Sequence, residues 1–346
     1  MTGSLGLRIT RFVAPVAVAL AATIGLLLLA DAPPLEALGL IGEGAFSGKT
    51  RFADTLMAWA PVAIAGAGLV VTFAAGLWNI GVEGQIVAGA IAASLAARTV
   101  PGNRPLVLTI TLAAGVAGGA LWGGAAGVLK VKGRVNEIFG GIGLGFVAQS
   151  FATYLVIGPW KRSGVASTSG TEPFRAETWL PTAFETRLAP IAIGLAVAVL
   201  IGVGLAMRGT RFGLRLRAVG SNPASARLLG VPADATTLRA FLVGGGLAGL
   251  SGAVLVTGIQ HKLVPAIAGG RGFLAVLVVL LAGSRVRWVG PIALFFAAIS
   301  VGSSQLQLRL DLDSSLGAVI QGLLVLAAVL FGGWFARRQV LSRQAR

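Results

Sequence analysis

The sequence predicts an all-α polytopic membrane protein: about ten transmembrane helices in an inverted five-plus-five repeat, with the N and C termini cytoplasmic. Three observations carry this. AVILMFWYC supply 55% of the 346 residues and only 12% are charged, about half the charged share of roughly 25% found in soluble domains. Gly supplies 51 residues, roughly twice the ordinary share of about 7%. They follow no collagen-like period and suit helices that pack backbone against backbone. Finally, apolar runs succeed one another along the whole chain, most near the roughly 20 residues needed to cross the hydrocarbon core.

The runs fall at 12–30, 59–77, 84–97, 106–128, 138–158, 189–206, 238–258, 272–283, 291–308 and 316–334. The first resembles a signal-peptide core, but no small-residue cleavage site precedes Pro33 and Pro34 and span follows span behind it, so it reads as a retained helix. In the fourth, Gly115, Gly119, Gly123 and Gly127 repeat at helical spacing, which predicts a close helix contact, either within the subunit or between subunits. The third and eighth runs are short. Each follows a Gly-bearing polar stretch, Asn79-Ile-Gly-Val-Glu-Gly-Gln85 and Pro265-Ala-Ile-Ala-Gly-Gly-Arg-Gly272. They lie five spans apart, so the two halves enter the membrane from opposite sides, the pattern of an inverted repeat. Interrupted segments at matching positions of two halves point to a substrate path, because non-helical backbone at membrane depth survives only when buried or lining a wet cavity. Two imperfect helices of no special meaning are the plain alternative.

Orientation follows from the basic residues. With the N-terminus inside, 17 of the 28 Lys and Arg fall on the cytoplasmic side, accompanied by only three acids, Glu83, Glu137 and Asp234. The other 11 share the outside with nine acids. This makes 1–11 a cytoplasmic N-terminus, 208–237 the main cytoplasmic loop and 337–346 a basic cytoplasmic tail of one transmembrane domain spanning 1–346. The net charge of +16 therefore reports topology, not nucleic acid, since the basic residues lie between apolar runs and not on one face.

Several chemistries are excluded or refused. With no Cys and one His, His261, no thiolate or multi-His metal site is expected, and no nucleophile stands beside a base, so no catalytic residue is assigned. His261, next to Lys262, reads as an external loop residue and not as a gate. Glu43-Gly-Ala-Phe-Ser-Gly-Lys-Thr50 ends like a phosphate-binding loop but has Glu43 where the first glycine belongs and no strand before it. Gly244-Gly-Gly-Leu-Ala-Gly249 matches a dinucleotide fingerprint formally, yet it lies inside an apolar run with Gly245 and Gly249 at G-x-x-x-G spacing, which suits helix packing.

The loop 208–237 carries the most specific local pattern. In Gly220-Ser-Asn-Pro-Ala-Ser-Ala-Arg-Leu-Leu-Gly-Val-Pro232, Ser221 or Asn222 can cap, Pro223 suits the first helical position and Gly230 the left-handed end. Pro232 stops the helix. The result is about two turns on the basic side, either resting on anionic headgroups through Arg211, Arg215 and Arg217 or docking into a soluble partner.

These residues resemble a known family. Ala75-Gly-Leu-Trp-Asn-Ile-Gly-Val-Glu-Gly-Gln-Ile-Val-Ala-Gly-Ala90 is similar to the N-I-G-x-E-G-Q signature of permease subunits of bacterial ABC importers of the nucleoside and simple-sugar type, within the branched-chain amino acid/ribose-type permease family. Leu216 to Gly230 resembles that family's R-A-V-G-x-N-x-x-A-A-x-x-x-G loop. Gly272 to Gly283 and Val135-Asn-Glu-Ile138 are looser matches to its G-F-x-G-I-A-V-A-L-L-G and V-N-E-V segments. Two departures stand out. After V-N-E-I the chain reads Phe139-Gly-Gly-Ile-Gly-Leu-Gly-Phe146 where members often read I-S-T-L-M-L-N-Y, and Phe273-Leu-Ala-Val276 lacks the family glycine. The resemblance implies two ABC ATP-binding domains as partners, a second permease subunit, identical or homologous, and an extracytoplasmic substrate-binding protein. It also implies residence in the bacterial inner membrane, with ATP and Mg on the partner subunits and no cofactor on this chain. It assigns Gly220, Asn222, Pro223, Ala226, Arg227 and Gly230 to ATPase coupling.

Candidate path residues are the polar groups in or at the ends of spans, where an ionisable group tends to face a cavity: Asn79, Glu83, Gln85, Asn136, Glu137 and Gln149. Sugar hydroxyls need such partners, and a nucleobase could stack on Trp78, Phe146 or Phe273. Equally, Asn79 and Glu83 could only satisfy the broken ends of the second and third spans. The leading reading is an ATP-driven importer of a nucleoside or simple sugar. An ion-driven carrier, or an ABC permease for a pentose or an amino acid, is the alternative.

Overall fold

The computed structural model describes residues 33–164, 169–313 and 315–327, together with Val18, 21–25, 27–29 and Leu330. The basic tail 337–346 and the N-terminus 1–11 lie outside the described residues. The chain forms helices α1 (Pro34–Phe46), α2 (Gly48–Ala74), α3 (Val82–Thr99), α4 (Arg104–Val131), α5 (Glu137–Ile157), α6 (Pro190–Met207), α7 (Arg211–Ser221) and α8 (Pro223–Leu228). Then come α9 (Ala233–Val254), extended by a π turn Leu255–Ile259, α10 (Arg271–Leu281), α11 (Val286–Gly302), α12 (Ser304–Leu310) and α13 (Leu316–Ala327). No strand occurs among the described residues.

Local chemistry sets the helix starts. Proline occupies the first turn of α1, α4, α6 and α8, where its missing N–H costs nothing. Side-chain oxygens cap four N-termini: Asn103 for α4, Asn136 for α5, Thr210 for α7 and Asn222 for α8. Six helical segments are long and apolar enough to cross a membrane: Gly48–Ala74, Arg104–Val131, Glu137–Ile157, Pro190–Met207, Ala233–Ile259 and Val286–Leu310.

Every predicted apolar run overlaps a described helix, but some boundaries move. The second helix begins at Gly48, well before residue 59, because Lys49, Arg51 and Asp54 hide its first turns from a hydropathy pattern. Residues 31–58, expected as one external loop, contain α1 and that early part of α2. The phosphate-loop look-alike is consequently helix on both sides of Ser47 and offers no loop to cradle a phosphate. The ninth run is stepped at Ser303 into α11 and α12.

The described residues form two compact units, one comprising residues up to Thr55 and from Phe295 onward, the other Leu56–Leu294. In the first, Leu27, Ala37, Ile41, Ile299, Leu306 and Ile320 make the core. Gly44 lies so close to Gly302 that a Cβ would come within 2.8 Å of the Gly302 Cα.

The second unit is built on α3, α4 and α9. Gly249 of α9 packs on the Gly119 backbone of α4, with 2.8 Å between the Gly119 Cα and the place a Gly249 Cβ would take, and Gly89 of α3 meets Gly249 in turn. Gly115 and Gly123 extend the α4–α9 contact, while Gly244 turns toward Gly68 of α2. The ladder on α4 is therefore used inside the subunit, and the fingerprint-like glycines of α9 serve helix packing. The segment between α5 and α6 pairs with the end of the π turn and the stretch after it: Thr171 N–H donates to the Leu263 carbonyl, Phe174 N–H to His261 and Leu180 N–H to Thr257. His261 adopts φ 54° and stacks on Trp179 with 4.3 Å between ring centres. Burial pushes its imidazole below the usual histidine range.

A methyl group at Gly249 must displace backbone, and overpacking of this kind typically costs about 1–3 kcal/mol. Gly249→Ala should therefore lower the thermal midpoint of the detergent-extracted protein in size-exclusion chromatography. Gly202→Ala on α6, where a Cβ meets nothing within 4 Å, should leave it unchanged.

Candidate translocation site

The two interrupted stretches meet. After Ala74, α2 ends in a left-handed turn at Gly76 (φ 73°), closed by Gly76 N–H to Phe73 and Leu77 N–H to Thr72. This is the Schellman arrangement that satisfies a helix's last carbonyls. The chain crosses Trp78-Asn79-Ile80-Gly81 and restarts as α3 at Val82. Inside the break, the Asn79 amide donates to Gln85 Oε1 at 2.9 Å and the Gln85 amide returns a bond to Asn79 Oδ1 at 3.0 Å. Both side chains are buried. The ring of two amides ties the break to the first turn of α3 and satisfies polar atoms that would otherwise be costly at this depth.

Glu83 reaches in a different direction. Its Oε1 accepts the Gly270 N–H and its Oε2 the Gly272 N–H, both at 2.7 Å. The carboxylate thus caps the N-terminus of α10, and not the broken ends of α2 and α3. Gly270 is left-handed (φ 78°), and Gly272 lies so close that a Cβ there would stand 2.7 Å from the Glu83 backbone. At about 1.5 Å per residue, the 11 residues of α10 cover only about half of a bilayer core. α3, expected as a short span, has 18 residues and is not short, and the carboxylate in its first turn caps the short α10. From α5, the Gln149 amide donates to the Pro265 carbonyl, holding the same crossing from the other side.

The glycines that depart from the family pattern in α5 have a visible use. Gly141 lies against Gly81, and Gly145 against Gly84, where a Cβ on Gly84 would stand 2.6 Å from the Gly145 Cα. Glycines of the N-I-G-x-E-G stretch thus mate with glycines of α5, and sequence reading had no signal for that pairing.

The remaining candidates divide. Asn136 caps α5 through the Ile138 N–H at 2.9 Å, and Glu137 pairs with Lys130 at 2.6 Å. Trp78 packs beside Phe73 with ring centres 5.3 Å apart. Trp78, Phe146 and Phe273 all expose about half of their surface or more, Phe146 reaching 71%.

On the basic side, Asn222 caps α8 through the Ser225 N–H at 3.1 Å, and Gly230 (φ 77°) ends it, with Val231 N–H bonding Ala226 and Gly230 N–H bonding Arg227. Ala226 is only 2% exposed and packs on Val219 and Ala233, so it faces its own chain. The outward apolar side chains are Leu228 at 90% and Leu229 at 82% exposure, which the sequence reading passed over. Arg227 pairs with Asp234 at 2.7 Å. Gly220 abuts the backbone of Ala74–Gly76, and a Cβ there would be 2.9 Å from the Gly76 nitrogen. A cavity of about 670 Å³, lined by Gly76, Lys130, Glu137, Gly220 and Pro223 among others, joins this segment to the break.

A family model described as branched-chain amino acid transport system, permease component, matches residues 51–329. The chain belongs to this permease family. The permease is 31% identical to a glucose ABC transporter permease protein of Haloferax volcanii over 87% of this chain and 81% of the relative. It is 27% identical to a nucleoside ABC transporter permease protein of Lactococcus lactis, covering 71% and 69% of the two chains. A guanosine ABC transporter permease protein of Bacillus subtilis is 26% identical over 85% and 82%. With six or more apolar helices of membrane-crossing length, the permease is a multi-pass inner-membrane protein.

Two predictions follow from the crossing. Charge-assisted hydrogen bonds contribute roughly 1.5–3 kcal/mol, and Glu83→Gln leaves one of the two α10 N–H groups facing an amide NH2, so the permease should unfold at a clearly lower temperature in detergent. Gly84→Ala should also destabilise, whereas Gly145→Ala should be tolerated, because its Cβ approaches only the Gly84 nitrogen at 4.0 Å. Thermal unfolding of the pair reads out the asymmetry.

Proposed function

We propose that the permease is the membrane-spanning subunit of an ATP-driven importer for a nucleoside or simple sugar. One observation carries the mechanism: the α7–α8 segment touches the broken span backbone to backbone, Gly220 on Gly76. A push on α8 from the cytoplasm would reach the Trp78–Gly81 break with no flexible side chain in between.

In this reading the importer has two ABC ATP-binding domains, one docking on this chain's α8 through Leu228 and Leu229 and the other on the second permease, with Gly220, Asn222, Pro223, Ala226, Arg227 and Gly230 shaping the segment. ATP and Mg belong to those partners, in keeping with the helical course of the chain's phosphate-loop look-alike. A second permease, identical or homologous, and an extracytoplasmic binding protein complete the importer. The topology is ten spans in two inverted halves with both termini cytoplasmic, supported by the meeting of α3 and α10 from opposite halves. The half-exposed rings of Trp78, Phe146 and Phe273 serve the solute, while Asn79, Gln85, Glu83 and Gln149 hold the frame around it. A neutral, hydroxyl-bearing solute suits a site whose carboxylates, Glu83 and Glu137, are already engaged. The same engagement counts against an ion-driven carrier, which needs a carboxylate free to take up and release its ion.

Replacing both Leu228 and Leu229 with Glu should leave the permease inserted and folded yet abolish solute uptake and solute-stimulated ATPase of the reconstituted importer. Normal coupling in that variant would remove α8 from the docking surface. Phe146→Ala should weaken uptake of a labelled nucleoside by roughly tenfold, given about 1–3 kcal/mol for one base–aromatic stack. Equal transport by the variant would exclude that ring from the path.

A further inference from the structure

A second large cavity, of about 750 Å³, opens between α2, α6, α7 and the start of α11. Its wall is apolar: Val70, Ile201, Gly204, Leu205 and Pro291 line it, with Ile201 and Leu205 more than half exposed. At one end the wall gives way to four arginines, Arg208, Arg217, Arg285 and Arg287. They come from three separate stretches of the chain, the end of α6, the middle of α7 and the α10–α11 turn with the first residues of α11, so the fold gathers them. Arg287 lies over the Trp288 ring, 5.9 Å from its centre, and Trp at the head of a membrane helix marks the headgroup level.

None of the four cations forms an ion pair among the described residues. Among the described residues the only ion pairs are Lys130–Glu137 and Arg227–Asp234. Glu83 is occupied by Gly270 and Gly272. Every acidic residue assigned to the basic side is thus already engaged. A rim of unpaired arginines at the mouth of a membrane-facing apolar crevice calls for a ligand that is anionic at one end and hydrocarbon along its length.

We propose that this crevice binds an anionic phospholipid, with its phosphate on Arg208, Arg217, Arg285 and Arg287 and an acyl chain along Ile201, Gly204 and Leu205. Basic pockets between membrane helices are suited to such headgroups. The apolar wall continuing from the rim favours a lipid over free phosphate or a soluble acidic partner. The site is separate from the crossing at Glu83 and from α8. The inference depends on the proposed orientation only for placing the lipid in the cytoplasmic leaflet.

The test is binding of spin-labelled phosphatidylglycerol, against spin-labelled phosphatidylcholine, to the full-length permease in the complex it forms, in phosphatidylcholine nanodiscs. The wild type should immobilise phosphatidylglycerol preferentially. Losing about fivefold per arginine near a membrane surface, the pair Arg285→Gln and Arg287→Gln should weaken that preference on the order of 25-fold. Gly204→Leu fills the crevice without touching the charges and should also remove the immobilised lipid. It is checked for folding by the same size-exclusion profile as the wild type. Equal immobilisation of both lipids by the wild type would overturn the proposal. So would unchanged phosphatidylglycerol binding in the folded variants, or loss of the ATPase subunits from the arginine variant with lipid binding intact, which would give the rim to a protein partner. None of these readouts depends on the transported solute, so their failure leaves the importer reading standing.

Discussion

The close approach of α3, α4 and α9 is the constraint on which the rest of the second unit depends. Lipid tails are as apolar as leucine, so helices in a membrane gain little from hiding hydrocarbon and must gain instead from dense packing. Here that packing is obtained by removing side chains: Gly89, Gly119 and Gly249 place three backbones in direct register. The rigid trio fixes the start of α3, and with it the position from which Glu83 reaches α10.

Around that frame, the polar atoms at the crossing are nearly all satisfied within the chain. The Asn79–Gln85 amide ring and the doubly bonded Glu83 carboxylate leave few spare donors or acceptors. Under the proposed importer function, recognition of a solute then falls to exposed ring faces such as those of Trp78, Phe146 and Phe273. The polar groups set geometry, and the aromatic groups around them are free to make contact.

Much of this was legible in the sequence, and what was not has identifiable reasons. The apolar runs and the start of α8, with Asn222 as cap and Pro223 in its first turn, are local signals and appear where they were read, whereas Asn136, read as a path residue, caps α5. The two interruptions were legible, although only α10 proves to be short. Their meeting was not, because the partner of Glu83 lies 187 residues away and a carboxylate does not announce which helix end it caps. The direction of Ala226 was hidden for a similar reason: a six-residue helix has too few positions to define a face. The pairing of Gly81 and Gly84 with Gly141 and Gly145 needs three-dimensional register, since a glycine reads the same whether it faces lipid or another backbone. The early start of α2 was masked by charged residues that a hydropathy pattern counts against a helix.

The Glu83 link also bears on how the chain is made. Among the described helices of 18 residues or more, α3 alone falls short of the apolarity of an independent span, and it carries a carboxylate near its start. Acidic residues resist partition from the translocon into lipid, an Asp at mid-helix costing roughly 2.5–3.5 kcal/mol. The N–H groups that satisfy Glu83 are not synthesised until 187 residues later. Until α10 is made, Glu83 lacks the two N–H groups that hold it in the folded chain, so the start of α3 is completed only by a stretch synthesised much later.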